Sequence, residues 1–325
     1  MADPLIKEKA HRPTVSHRIE FYALKFLRAL FLILPIDVAS WLMGKSWRLF
    51  APLNKRHKRV LRHMMWAIGD DTTPRQRDQI ARDMWENLGR TFAEALILDK
   101  IARDQRRIQI DPKVLAQWTD KPEKSAIFMS HHFGNWELNA VPALWHTDHA
   151  VMGVYKRVKN SLVEDWIKSI RDDIYKGGLY TESDNPARTI LQQLRNGVSF
   201  AMISDLRDGR GVDVSLFDMP TKVSAFPTTL AVKVGLPVFL TQVRRIENTN
   251  FVLDMVEVEF EKTDNQQRDI ENLTQACHAQ FERWIKANPE QWMWAPYRWK
   301  GRYEGDQKPT SWTKFQVKNQ ADTPS

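Results

Sequence analysis

Short apolar runs alternating with amphipathic stretches constrain this chain of 325 residues more than any other feature. Residues 126–129 (Ala-Ile-Phe-Met), 150–155, 198–204, 236–243 and 251–260 are apolar-rich runs of strand length. Helix-period segments separate them. Residues 161–174 place Leu162, Trp166 and Ile170 on one face, 186–195 are closed by Gly197, and 226–234 stop at Gly235; 270–286 form a last amphipathic helix. Upstream, 75–98 repeat Ile80, Met84, Leu88, Phe92 and Ala95 at three- and four-residue steps behind Pro74, which suits a first helical turn. This alternation predicts an α/β fold: a mixed, mostly parallel sheet covered by helices on both faces. Composition permits it, since 42% of residues are hydrophobic, while 13 Gly and 16 Pro are too few for a disordered or collagenous chain. One cysteine excludes an intramolecular disulfide and an all-cysteine metal site.

The amino-terminal part reads differently. A polar stretch over 1–20 leads into an apolar segment, and 21–50 are expected to form a membrane-anchoring or membrane-dipping helix. The 23 positions from Phe21 to Met43 include Lys25, Arg28, Pro35 and Asp37, whereas a clean span needs about 20 mainly apolar residues. A tilted span and a helix lying in one leaflet both remain open. Trp41 and Trp47 suit headgroup depth. The run Lys55-Arg56-His57-Lys58-Arg59, then Arg62, suits anionic membrane lipids. A net charge of +8 and 13 tryptophans fit a polar–apolar interface. Nucleic acid is not an expected partner, because no helix-turn-helix, zinc finger or RNA-binding motif is present. After this segment, residues 51–310 are expected to form one α/β domain, and 311–325 a tail.

Chemistry concentrates at two predicted strand ends. Open α/β sheets place their sites beyond the carboxyl ends of strands. The run 126–129 enters Ser130-His131-His132-Phe133-Gly134-Asn135-Trp136-Glu137, and 198–204 run into Asp205. A histidine suits general-base work near neutral pH, and a carboxylate on its other ring nitrogen fixes the tautomer. His132 and Glu137 are about 140° apart on a regular helix, so they converge only if His132 precedes the helix and Glu137 lies in its first turn. Gly134 and Asn135 supply that change of direction. Two adjacent histidines lack metal-binding spacing, so no metal is expected. No Gly-x-Ser-x-Gly elbow signals a covalent nucleophile.

The octad 130–137 resembles the HxxxxD/E signature of membrane acyltransferases, and in particular the lauroyl/myristoyl acyltransferases of lipid A biosynthesis. Tyr155-Lys156-Arg157-Val158-Lys159-Asn160, then Arg171, resembles that family's second block. Residues 197–205 resemble its strand ending in Asp, and Phe217 with 225–237 resembles the next block. Pro289-Glu290-Gln291-Trp292-Met293-Trp294, then Arg298-Trp299-Lys300, resembles the last. The likeness runs from about residue 20 to 305. Two departures fall where the family often has Asp-Gln and Phe-Phe-Gly: here stand Asp205-Leu206 and Leu216-Phe217-Asp218.

The resemblance implies a glycerolipid-acyltransferase-like fold and an O-acyltransferase without cofactor, placed at the bacterial inner membrane with its catalytic domain on the cytoplasmic side. It implies transfer of a fatty acyl group from an acyl carrier protein thioester to the 3-hydroxyl of an acyl chain on a lipid A precursor. His132 then acts as base, with Glu137 orienting it. Gly134 and Asn135 amides, Arg157 or Arg171 would hold the oxyanion; Arg157, Asn160 and Arg171 would also bind substrate. Asp205 would pair with Arg171, bind acceptor or cap structure. Trp292, Trp294 and Trp299 would line an acyl channel or pack the core. A related acyltransferase with another phospholipid or glycolipid acceptor is the alternative.

Overall fold

A computed structural model of the protein describes residues 13–121, 125–182 and 186–299. The expected tail over 311–325 and Lys300 lie outside them, as do residues 1–12 of the polar amino-terminal stretch. The chain begins with helices: α1 (Val15–Ile33), α2 (Ile36–Phe50), α3 (Lys55–Ile68), α4 (Pro74–Leu96) and the one-turn α5 (Leu98–Ile101). Next come β1 (Ile108–Ile110), α6 (Pro112–Thr119), β2 (Ile127–Gly134), α7 (Val141–His146), β3 (Val151–Tyr155), α8 (Ser161–Arg171) and β4 (Gly178–Thr181). The remainder is α9 (Ala187–Arg195), β5 (Ser199–Ile203), β6 (Arg207–Leu216), β7 (Met219–Val223), α10 (Phe226–Val234), β8 (Val238–Glu247), β9 (Asn250–Glu257) and α11 (Gln266–Ala287).

Seven strands form one sheet in the order β1-β9-β8-β2-β5-β3-β4. Every pairing in it is parallel except β8 with β9. This is the mixed, mostly parallel α/β sheet flanked by helices that the alternation predicts. β2 is central, so both its faces are buried. Ile127, Met129 and Phe133 join a core with Leu273, Cys277, Phe281 and Ile285 of α11, while Phe128 packs on the opposite face with Trp118, Val151 and Phe239. β6 and β7 form a separate antiparallel ribbon. Its turn holds Phe217 and Asp218 at φ 53° and 58°, the paired positive values of a tight hairpin turn. The departure from Phe-Phe-Gly therefore lies in this turn, where aspartate tolerates a left-handed backbone. The Phe217 ring packs on Trp294 at 5.6 Å.

The expected membrane-anchoring helix is corrected. Among the described residues no helix is long and apolar enough to cross a membrane. Pro35 divides the apolar segment: α1 ends at Ile33 and α2 restarts at Ile36. The charges inside the segment are tied to the rest of the fold. Arg28 grips Asp99 through two bonds of 3.0 and 2.9 Å, and Asp37 accepts from Thr249 and Arg107. Burial pushes the Asp37 carboxyl up, but Thr249 and Arg107 outweigh it and hold it below the ordinary range. α2 lies against α4 so closely that a Cβ on Gly44 would meet Arg90 Cγ at 2.7 Å. Trp47, expected at headgroup depth, stacks on Phe92 at 5.7 Å, while Trp41 is exposed. The transmembrane description and the inner-membrane placement that the resemblance implied are corrected on the same finding.

Candidate active site

The end of β2 carries the site. Its register with β8 shifts between Ser130 and Gly134, and the strand runs through His132 to Gly134 rather than stopping at residue 129. Side chains alternate across it. His131 enters the core between Phe133, Phe281 and Trp284. His132 faces the other way and stays 17% exposed.

The carboxylate on His132 is Asp205. It lies just past β5, the strand paired in parallel with β2. Nδ1–H of His132 donates to Asp205 Oδ1 at 2.6 Å, and the His132 amide donates to Oδ2 at 3.1 Å. This pairing fixes the proton on Nδ1 and leaves Nε2 with a free lone pair. Asp205 is buried. Trp292 Nε1–H donates to its Oδ2 at 2.8 Å, and Arg298 Nη2 lies 3.1 Å from the same oxygen while Nη1 donates to the Asp205 carbonyl. Burial pushes the Asp205 carboxyl up; the charge of Arg298 and the interaction with His132 outweigh it, holding the group well below the usual carboxylate range. Arg298 lies over the Trp292 ring at 4.3 Å, and Met293 N–H closes on His132 O at 2.9 Å. The carboxyl-terminal block therefore supports the site from beneath.

Glu137 does not reach His132. It lies in a single turn over Trp136–Leu138 and is held by Arg171 at the end of α8, with Nε to Oε2 at 2.9 Å and Nη2 to Oε1 at 2.6 Å. Such a fork is the strongest arrangement of a carboxylate–guanidinium pair. Trp136, between the two sites, meets the His132 ring edge-on at 5.1 Å.

The remaining expected residues are placed as follows. Gly134 has φ +55°, and a Cβ there would be driven into the Val243 carbonyl, so glycine alone fits. The Asn135 amide is engaged by Val243 O at 3.0 Å, which takes it away from an oxyanion role; its side-chain oxygen caps Glu137 N–H at 3.2 Å. Asn160 is buried; it caps α8 through Leu162 N–H and donates to His17 O and Glu20 at 2.8 and 2.9 Å. Arg157 is exposed and reaches Thr181 of β4 at 3.4 Å. The structure thus joins His132 to Asp205 and Glu137 to Arg171, with Arg157 and Asn160 on neighbouring elements. Arg298 and Trp292 as supports of Asp205 escaped the sequence reading. A buried arginine inside a tryptophan-rich block was the available signal.

Beside the Glu137–Arg171 pair lies an apolar chamber, open to solvent, with a cavity volume of about 120 Å³. Trp136, Glu137 and Arg171 bound it near the strand ends; Phe128, Val151 and Trp118 bound it further back. Gly153, Ala201, Ala140 and Ala143 keep the space between open. Trp292, Trp294 and Trp299 are not in its lining; all three are buried in the core. Among the described residues no three acidic, histidine or cysteine side chains are grouped to hold a metal ion. Burial raises the Cys277 thiol, which removes it as a nucleophile.

A histidine bonded to a buried carboxylate thus lies one aromatic side chain, Trp136, from an apolar chamber. The model of the bacterial lipid A biosynthesis acyltransferase family matches residues 7–301, and the chain belongs to that family. No individual curated protein matches it. The activity is acyl transfer, with an acyl donor and an acyl-accepting lipid as partners in general terms.

Proposed function

We propose that the protein is an O-acyltransferase that moves a fatty acyl chain from an acyl carrier protein thioester to the 3-hydroxyl of an acyl chain on a lipid A precursor. The observation that carries this reading is His132, bound to Asp205 at 2.6 Å and in ring contact with Trp136, a wall residue of the apolar chamber. The donor acyl chain lies in the chamber and brings its thioester carbonyl to the strand ends. Nε2 of His132 takes the proton of the acceptor hydroxyl as its oxygen attacks that carbonyl. Asp205 orients the ring and offsets the charge of the imidazolium. Collapse of the tetrahedral intermediate breaks the C–S bond. The departing thiolate receives the proton from His132, and the ester remains on the acceptor.

Arg171 supplies positive charge at the chamber mouth for the developing oxyanion, and Glu137 holds that guanidinium in place. The basic residues Arg56, Lys58, Arg59 and Arg62 of α3 and Arg157 suit an acidic carrier protein or the phosphates of the acceptor. The test is mass spectrometry of a purified precursor after incubation with the protein and acyl carrier protein thioesters. A mass gain of one acyl group, absent in His132→Ala, is the expected result. Gain on a glycerophospholipid or another glycolipid instead would replace the acceptor named here.

A further inference from the structure

Behind the His132–Glu137 turn lies a polar cluster that takes no part in the chemistry above. α4 presents Asn87, Thr91 and Glu94 on one buried face at positions i, i+4 and i+7. Asn87 Nδ2 and Thr91 Oγ1 both donate to the Gly134 carbonyl, at 3.0 and 2.9 Å. Glu94 accepts from Asn135 Nδ2 at 2.7 Å, Ser40 Oγ of α2 at 2.6 Å, and both terminal nitrogens of Arg245 at 2.6 and 2.8 Å. Arg245 Nε also donates to Asn87 Oδ1 at 2.9 Å.

We propose that this cluster is a positioning device for the base: α4 and Arg245 set the peptide after Gly134, and through it the distance of His132 from Asp205 and of Glu137 from Arg171. The argument is one of cost. A carboxylate with none of its surface exposed is expensive, and a buried ion pair returns little stability compared with apolar packing of the same volume. Four donors on one carboxylate return geometric definition instead. The turn requires that definition. Gly134 has a positive φ, its carbonyl meets α4 through Asn87 and Thr91, and the strand is already irregular between Ser130 and Gly134. A peptide without fixed partners at that point would let the two residues flanking it, His132 and Glu137, move independently. Misplacement by about 1 Å is enough to cost on the order of 100-fold in rate.

The inference rests on His132 being the base, so its test has one arm that does not. Thr91→Val removes a single donor without adding or stranding a charge, and Thr91→Ser keeps the hydroxyl. Thr91→Val is expected to lower kcat about 10-fold with KM for the thioester within twofold, and to raise amide exchange over residues 133–137 at least about 10-fold with the rest of the chain unchanged. Thr91→Ser is expected to restore both to within about twofold. Equal behaviour of the two variants overturns the proposal, and so does faster exchange in Thr91→Val with kcat unmoved. If the unaltered protein transfers no acyl group, the functional reading fails on its own, and exchange then decides: acceleration in Thr91→Val but not in Thr91→Ser supports the hold on the turn, and no acceleration overturns it.

Discussion

His131 and His132 are neighbours in sequence and opposites in setting. His131 is wholly buried among aromatic rings, and among the described residues neither of its ring nitrogens has a hydrogen-bond partner. Burial pushes its pKa down to about 3, so it remains a neutral packing group. His132 keeps contact with solvent, has Asp205 on Nδ1, and borders the chamber through Trp136. The difference follows from strand alternation. One side of β2 faces α11 and the other faces a space left open by small residues. Residue type alone does not distinguish a base from a core group; the face of the strand does.

The comparison breaks most readily at the larger effect. His132→Ala is expected to lower transfer at least about 100-fold, whereas His131→Leu lowers it by less than about threefold; steady-state rates for both variants, with circular dichroism to establish folding, check this. Comparable losses in the two would erase the distinction.

The two carboxylates come next. Asp205→Asn keeps one accepting oxygen for the three N–H groups at Oδ2 and turns an NH2 toward His132 Nδ1, which reverses the tautomer; it is expected to cost at least on the order of 100-fold in kcat. Glu137→Gln acts through Arg171 and is expected to cost about 10-fold while leaving the shape of the kcat pH profile unchanged. A loss in Glu137→Gln exceeding that in Asp205→Asn would return the orienting role to Glu137.

The chamber side of the strand offers a third test. Ala201→Leu adds three carbons to the lining, and competition between donors of different chain length should show preference moving to acyl chains at least about two carbons shorter. An unchanged preference would remove the donor chain from the chamber.

The smallest effect belongs to the His131 side and concerns stability. Burial holds His63 at about 4 and His131 at about 3, both below the ordinary value near 6.5. Between those values and pH 6.5 the unfolded chain binds more protons than the folded one, so stability falls as pH drops through that window. Between pH 6.5 and pH 4.5 each histidine contributes on the order of 3 kcal/mol of that loss. Urea unfolding at pH 7 and at pH 4.5 should show a shallower pH dependence in His131→Leu than in the unaltered protein. Equal slopes would mean that His131 is solvated in the folded state.

Much of the scaffold was legible because local pattern governed it. Residues 226–234 form the helix that Gly235 was expected to stop, and the residue behind the Thr73 cap starts α4 at Pro74. The ribbon β6–β7 was missed because it opens on Arg207-Asp208-Gly209-Arg210-Gly211, which reads as loop. β1 and β4, with three and four residues, carry too little periodicity to register. The amino-terminal segment misled because apolar content was visible, while the ties of Arg28 to Asp99 and of Asp37 to Arg107 and Thr249 span about 70 residues or more. At the site, sequence proximity favoured Glu137, five positions from His132. The observed partner is 73 positions away and is set by the parallel register of β2 with β5, which no local pattern encodes. The polar face Asn87, Thr91 and Glu94 left a trace, three polar residues within an otherwise apolar helical stripe, whose meaning depends on the turn it meets.

The reach of the Asp205 cradle also sets a schedule. Its members come from β2, from the end of β5, and from Trp292 and Arg298 close to the last described residue. Contacts of such sequence separation form late, after the loop-closure entropy of the intervening chain has been overcome. A nascent chain still lacking residues 292–298 holds His132 without a neutralised carboxylate behind it. On the mechanism proposed above, the base therefore needs the carboxyl-terminal block in place before it is fully formed, and a copy lacking that block is expected to be silent toward thioesters.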